Sequence, residues 1–289
     1  MDEAVARVRS FNRLVAERVG ALNDHYLARD RPLGEARLLW EIGQGIDVRA
    51  LRGRLGLDSG YLSGLLRSLE SAGLVVVEAS TTDRRVRTAR LTAAGRRERK
   101  LLDRRSDDLA SSFLGPLSES QRERLVGAMG EVERLLTASL VELHVVDPAS
   151  ADAQYCLGEY FAEIDRRFEA GFDPALSITG IDELRPPQGV FVLATLRSKP
   201  IGCGGVKLAG KWSLLKRMWV APSARRLGIG RRLLADLEHR ARTHGARSVR
   251  LETNRALTEA IGLYRAQGYR EVERFDDEPY AHHWFEKRL

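Results

Sequence analysis

The chain has 289 residues, 43% hydrophobic and 30% charged, with a net charge of +7 and a pI near 9.7. That length suits one large domain or two ordinary ones of roughly 100–150 residues, and the apolar content is ample for true cores. No run approaches the ~18 apolar residues of a membrane span, and two cysteines without a Cys/His cluster suggest neither a disulfide framework nor a zinc site. The opening MDEAVARVRSFNRLVAERV alternates charge and hydrophobe at helical spacing and does not read as a signal peptide. A cytoplasmic protein with no membrane partner is the expectation. Arginines concentrate in 49–105 and 216–255, so two basic regions could serve two separate anions.

Residues 1–146 read as a mostly helical domain. Segments 4–27 and 96–143 are amphipathic helices with more apolar surface than a small monomer needs. DVRALRGRL (47–55) is a short helix, GL a turn, and Asp58 a plausible N-cap for the next helix. In that helix Leu62, Leu65, Leu66 and Leu69 form one buried stripe. Its other face carries Ser59, Gly60, Ser63, Gly64 and Arg67, small or basic residues suited to close approach in a DNA major groove. Two strands follow, LVVVEA (74–79) and VRTARLT (86–92), forming a hairpin with Arg84, Arg85 and Arg87 near its tip, where phosphates or a minor groove could be met. Helix–turn–helix pairs also occur in proteins that never touch DNA. Hairpin, basic tip and net charge together favour DNA binding.

The segment DPASADAQY (147–155) has the composition of a linker. Beyond it, over 147–289, strands expected at 189–196, 201–208, 213–220 and 248–254 alternate with helices at 151–170, 230–244 and 258–267, an α/β pattern. VAPSARRLGIGRRLL (220–234) places Gly228 and Gly230 between a strand ended by Pro222 and the start of a helix. Backbone amides and a helix dipole can hold a phosphate there. A Walker loop is excluded because Arg231 and Arg232 follow Gly230. A Rossmann fingerprint is excluded because position 233 is leucine. A plain strand-to-helix turn remains the alternative.

WEIGQGIDVRALRGRLGLDSGYLSGLLRSLESAGLV with DRRVRTARLTAAGR resembles the winged helix–turn–helix of MarR-type transcriptional regulators, over roughly residues 30–105. The wing signature of that family corresponds to Asp83–Arg84–Arg85. The resemblance implies a homodimer built from the terminal helices and reading a pseudo-palindromic operator in double-stranded DNA.

ARRLGIG, read as Arg225–x–x–Gly228–x–Gly230, resembles the acetyl-CoA pyrophosphate loop of GNAT N-acetyltransferases, and LETNRALTEAIGLYRAQGYREV (251–272) resembles the motif that follows it. The resemblance covers roughly 151–289 and implies a mixed central sheet flanked by helices. It implies that Met218, Trp219 and Val220 line the acetyl-pantetheine arm, with the Val220 amide facing the oxyanion. By the same resemblance Arg225, Arg226, Leu227, Gly228, Ile229, Gly230 and Arg231 surround the pyrophosphate, Tyr264 is the general acid, and Glu252 is a candidate base. The glutamate that many members carry on the preceding strand is replaced by Leu214, and the asparagine often found after the second motif's strand by Leu257, with Asn254 out of register. Asp276, Asp277, Glu278, His282 and His283 in the tail could attract a cationic amine, with His283 relaying a proton. They show no metal-ligand spacing, so no metal is expected.

The expected protein is a bifunctional fusion, a DNA-binding regulator and an acetyl-CoA-dependent acetyltransferase acting on a primary amine of a small molecule or a lysine. Two alternatives stand beside it: a regulator whose second domain senses acetyl-CoA without turnover, and a first domain that is only a dimerisation scaffold.

Overall fold

Three short side chains start the helices of the N-terminal half. Asp47 accepts the Ala50 amide at 2.8 Å, Asp58 that of Tyr61 at 2.8 Å, and Thr92 that of Gly95 at 3.0 Å. Each satisfies a donor that a helix leaves open in its first turn. The computed structural model describes residues 2–21, 26–79, 86–177 and 180–289. The chain divides into two compact units, Met1–Ala128 and Met129–Leu289.

The first unit begins with α1 (Asp2–Arg18), α2 (Leu33–Ile42), β1 (Ile46–Asp47), α3 (Val48–Leu55) and α4 (Ser59–Ser71). β2 (Val75–Ala79), β3 (Arg87–Leu91), α5 (Ala93–Leu114) and the start of α6 (Glu119–Ser139) follow. The strands form a small antiparallel sheet in the order β1-β3-β2. Leu62, Leu66 and Leu69 of α4 are buried against Leu38, Leu39 and Ile42 of α2, Leu51 of α3 and Leu102 of α5, and Leu65 packs on the same core half-buried. Burying each such leucine stabilises the unit by roughly 1.5–3 kcal/mol. The amphipathic stretch expected over 96–143 is two helices, because Pro116 cannot continue the α5 ladder. α5 passes the foot of the β2–β3 hairpin so closely that a Cβ at Gly95 would lie 2.0 Å from the Leu74 carbonyl oxygen. α1 buries no residue and leaves Val5, Val8, Phe11, Leu14 and Val15 exposed.

The second unit holds β4 (Val141–Val145), α7 (Ala151–Arg167), β5 (Gly189–Leu196), β6 (Lys199–Ala209), β7 (Trp212–Val220) and α8 (Ile229–Thr243). β8 (Ser248–Thr253), α9 (Thr258–Ala266), β9 (Arg270–Val272) and β10 (His283–Arg288) complete it. The sheet order is β4-β5-β6-β7-β8-β10-β9, and among the described residues only β7 and β8 run parallel. Strand alternation sorts its two faces. Phe191, Leu193, Cys203 and Trp219 pack under α7, while Val190, Val192, Val206 and Leu215 pack under the Leu233, Leu234 and Leu237 stripe of α8. β4 and β9 went unanticipated. β4 carries the second sheet back to Val141, ahead of the division expected at 146/147.

Candidate functional site

β7 and β8 pair through Trp212–Leu214 and Ser248–Arg250, and among the described residues they share no further rung. The cause is visible in β7. Cys203 pairs with Trp219 but Gly205 pairs with Lys216, so β7 carries one residue more than β6 opposite Gly204. Arg217 in this bulge has φ +58°, a left-handed conformation that costs a non-glycine residue about 1–2 kcal/mol. Gly204 makes the room, since a Cβ there would meet Met218 Sδ at 2.6 Å. Bulges re-aim strands beside functional sites. Here the bulge bends the end of β7 away from β8 and opens a wedge.

The glycine loop lies at the wide end. Arg226 (φ +66°) and Gly228 (φ +74°) both adopt left-handed backbone, and Gly228 is the N-cap of α8 without any side-chain cap. Gly230 packs close to α9, where a Cβ would stand 3.3 Å from Leu263 Cδ2. Among the described residues, the N–H groups of Arg226 through Arg231 find no backbone acceptor. An uncapped helix start with unpaired donors is a site for an anion. The Ala221 N–H bonds the Ile201 carbonyl across β6 at 2.9 Å. Alternation along the strand therefore turns the Val220 N–H to the opposite edge, toward the wedge. A cleft follows from there to the loop.

Glu163 of α7 braces this cleft. It accepts Trp219 Nε1 at 2.9 Å and Arg225 Nη2 at 2.7 Å, and Arg225 Nε also donates to the Val220 carbonyl at 3.1 Å. Burial works against the Glu163 carboxylate, but its bonds from Arg225, Trp219 and Arg167 outweigh it and leave the pKa lowered.

A second cavity shares its inner wall with the first through Tyr160, Ile164, Met218, Leu257, Ala260 and Tyr264. On its floor Lys216 donates to Glu252 and, at 3.1 Å, to Glu278, with the three side chains only 4–7% exposed. Burial is the largest influence on Glu252 and raises its pKa. Lys216 pulls it back, and Asp276 and Glu278 push it up. Burial likewise raises the Tyr264 phenol above its ordinary value near 10, helped by Tyr160 and Glu252. Glu278 in turn accepts Ser177 Oγ at 2.9 Å, and Ser177 Oγ accepts Arg217 Nη2 at 3.1 Å.

Comparison with known proteins meets this geometry. Residues 157–269 match the Acetyltransferase (GNAT) family, and residues 34–86 match the MarR family. An "IAA acetyltransferase" of Azospirillum brasilense is 36% identical over 111 residues, covering 37% of this chain and 72% of that protein. The chain belongs to the GNAT acetyltransferase family, with a MarR-family segment in its first unit. Two solved structures are similar at lower identity. A GNAT-family acetyltransferase from Staphylococcus aureus is 21% identical over 51% of this chain and 99% of its own, with a TM-score of 0.44. A GNAT acetyltransferase from Elizabethkingia anophelis with acetyl-CoA bound is 17% identical over 52% and 99%, with a TM-score of 0.40.

The GNAT unit uses acetyl-CoA, and the loop fits that use, with unpaired amides at an uncapped helix start beside the wedge. Of the residues expected around the coenzyme, Met218, Trp219, Val220, Arg225, Arg226, Gly228, Ile229, Gly230 and Arg231 line the cleft. The Leu227 side chain is half-buried and packs on the core. Arg225 is engaged by Glu163 and Val220. Tyr264 and Glu252 meet in the second cavity. His283 bonds Glu271 at 2.6 Å and does not line that cavity. Asn254 latches the tail, donating to the Tyr280 carbonyl at 2.8 Å. Among the described residues no cluster suits a metal, and no helix is long and apolar enough to cross a membrane.

The sequence reading missed Lys216 and Glu163. A lysine inside the apolar strand SLLKRMWV was the available signal for the first, since buried lysines need a partner. Glu163 carried none.

In the MarR-type unit, α4 turns Ser59, Gly60, Ser63 and Arg67 to solvent, with Gly64 half-buried, and Arg87 is exposed on β3. Ser63 Oγ and Arg67 Nε fold back onto carbonyls of their own helix at 2.7 and 3.3 Å. Arg84 and Arg85 lie outside the described residues.

Proposed function

We propose that the chain joins two activities: acetyl transfer from acetyl-CoA to a primary amine, and dimeric binding to a pseudo-palindromic DNA operator. One observation carries the first. Glu252 and Tyr264 line a single cavity whose inner wall is also the wall of the coenzyme cleft. Glu252 is the base and Tyr264 the acid. The acceptor enters as its ammonium, and the Glu252 carboxylate takes one proton from it. The freed lone pair attacks the thioester carbonyl carbon, while the Val220 N–H steadies the oxyanion as charge develops. When the C–S bond breaks, Tyr264 passes its phenolic proton to sulfur and recovers one from the new amide nitrogen. Glu252 then releases its proton to solvent. The raised pKa of Glu252 suits a proton acceptor, and that of Tyr264 keeps it protonated until the thiolate leaves.

Thiol release with a panel of amines, amino acids and lysine peptides tests this reading. Tyr264→Phe and Glu252→Gln should each lose about 10²–10⁴-fold in kcat, with acetyl-CoA affinity within about threefold of the parent. Unchanged turnover in both variants would refute the assignment. Tight acetyl-CoA binding without turnover on any acceptor would move the reading to a sensor.

DNA binding is supported by the small, exposed α4 face with Arg67, and dimerisation by the apolar stripe that α1 leaves in solvent. The stripe repeats every three to four residues, as a helix that packs on a partner does.

A further inference from the structure

We infer that the amine accepted by the GNAT unit carries an aromatic body, and that its ammonium is held between Glu252 and Glu278 before transfer. The inference rests on the acetyl-transfer reading above and narrows it to one substrate class.

The first observation is on the cavity floor. Lys216 is one cation facing two carboxylates, and Arg217, buried in the same cavity wall, reaches Glu278 through Ser177 Oγ. Glu252 Oε2 and Glu278 Oε1 are buried and without a hydrogen-bond partner. Arg217 donates to Ser177 Oγ and lies over the Phe161 ring at 5.3 Å. Unpaired buried carboxylate oxygens are costly, and a ligand with several N–H donors can bond both oxygens at once. An ammonium has three such donors and fits. An anion or a neutral hydroxyl does not.

The second observation is independent and lies at the mouth. Phe168, Phe172 and Tyr280 gather there, with ring centroids of Phe172 and Tyr280 4.7 Å apart, Phe168 and Tyr280 5.9 Å, and Phe168 and Phe172 6.0 Å. Phe161 stacks on Phe172 from behind at 5.6 Å. All four rings are only half-buried. Three uncharged rings above an anionic floor present flat faces to whatever is attached to the ammonium, and aromatic pairs prefer such offset or edge contacts. A polyamine chain offers no ring to match those faces. A lysine side chain would leave the ring faces unmatched.

The test is thiol release by the full-length protein at saturating acetyl-CoA, with 2-phenylethylamine, n-butylamine, spermidine and a lysine peptide as acceptors. The expected result is a kcat/KM for 2-phenylethylamine at least tenfold above spermidine and the peptide. Glu278→Gln should raise its KM tenfold or more with kcat within threefold. Phe172→Ala at the rim should raise KM for 2-phenylethylamine at least fivefold more than it raises that for n-butylamine. Preference for spermidine or the peptide overturns the inference and leaves acetyl transfer standing, as does a KM indifferent to both variants. If no acceptor is turned over, the acetyl-transfer reading fails. Calorimetry with 2-phenylethylamine then decides the occupant: binding lost in Glu278→Gln sustains it, and no binding to the parent overturns it.

Discussion

Gly95→Ala tests how the winged unit is braced. The new Cβ would stand 2.0 Å from the Leu74 carbonyl oxygen and 3.0 Å from its carbon, and backbone cannot rotate away as a side chain would. Reaching even a tight 3.0 Å approach to that oxygen requires α5 and the start of β2 to part by about 1 Å. Overpacking of this kind costs about 1–3 kcal/mol. The same carbonyl accepts the Thr92 N–H at 3.0 Å, and losing that bond adds about 1 kcal/mol. Replacing glycine in a helix returns up to about 1 kcal/mol. The net is roughly 1–3 kcal/mol against a total stability of about 5–15 kcal/mol, or a fall of about 5–15 °C in the first unit's thermal midpoint. Differential scanning calorimetry on the full chain, with operator binding as a second readout, measures it. Gly53→Ala is the control, since nothing lies within 4 Å of its Cβ position, and it should be neutral or slightly stabilising. A loss below about 1 kcal/mol at Gly95 would refute the tight crossing of α5 over β2.

Lys216→Met removes the one influence that lowers the Glu252 pKa, so the acid limb of kcat/KM should move to higher pH. At pH 6 the variant should lose at least about tenfold relative to the parent, and at pH 9 come within about threefold, with Lys216→Arg close to the parent throughout. The linkage sign is that of a raised carboxylate: its contribution is best below the unfolded pKa and deteriorates as pH rises toward the folded one. The variant's midpoint should therefore trail the parent's more at pH 8 than at pH 5. Gly230→Val should weaken acetyl-CoA binding by about tenfold or more, because the Cβ position already stands 3.3 Å from Leu263, with α8 helicity unchanged by circular dichroism. Arg67→Ala combined with Arg85→Ala should reduce affinity for operator-sized DNA and lower the salt slope by about one for each phosphate no longer neutralised. Unchanged binding would favour the scaffold reading.

Much of this molecule was legible before its structure. The leucine stripe of α4, its Asp58 cap and the glycine loop were readable because each depends on neighbours within one or two turns of chain. What escaped depends on residues brought together from afar. The Glu163 brace joins α7 to β7 across about sixty positions, and nothing in ADAQYCLGEYFAEIDRR marks that glutamate. Glu278 was one of several tail acids that could attract an amine, and nothing nearby in sequence marked it as the one that is 7% exposed, where the segment before β10 folds under Lys216. Glu252 falls within the strand expected at 248–254, but only the β10 pairing and the opening beside β7 decide that its face is a cavity.

The parting of β7 from β8 leaves a sheet with rungs missing at its centre. Those amide protons of Lys216–Val220 that face the wedge should exchange freely with solvent in the empty protein and slow when the donor's own amide-bearing arm lies between the strands. Loading would then be a small folding event, adding about 2.7 kcal/mol to the unit at a hundred times the dissociation constant. Donor abundance in the cell would be read by the protein as stiffness along one seam.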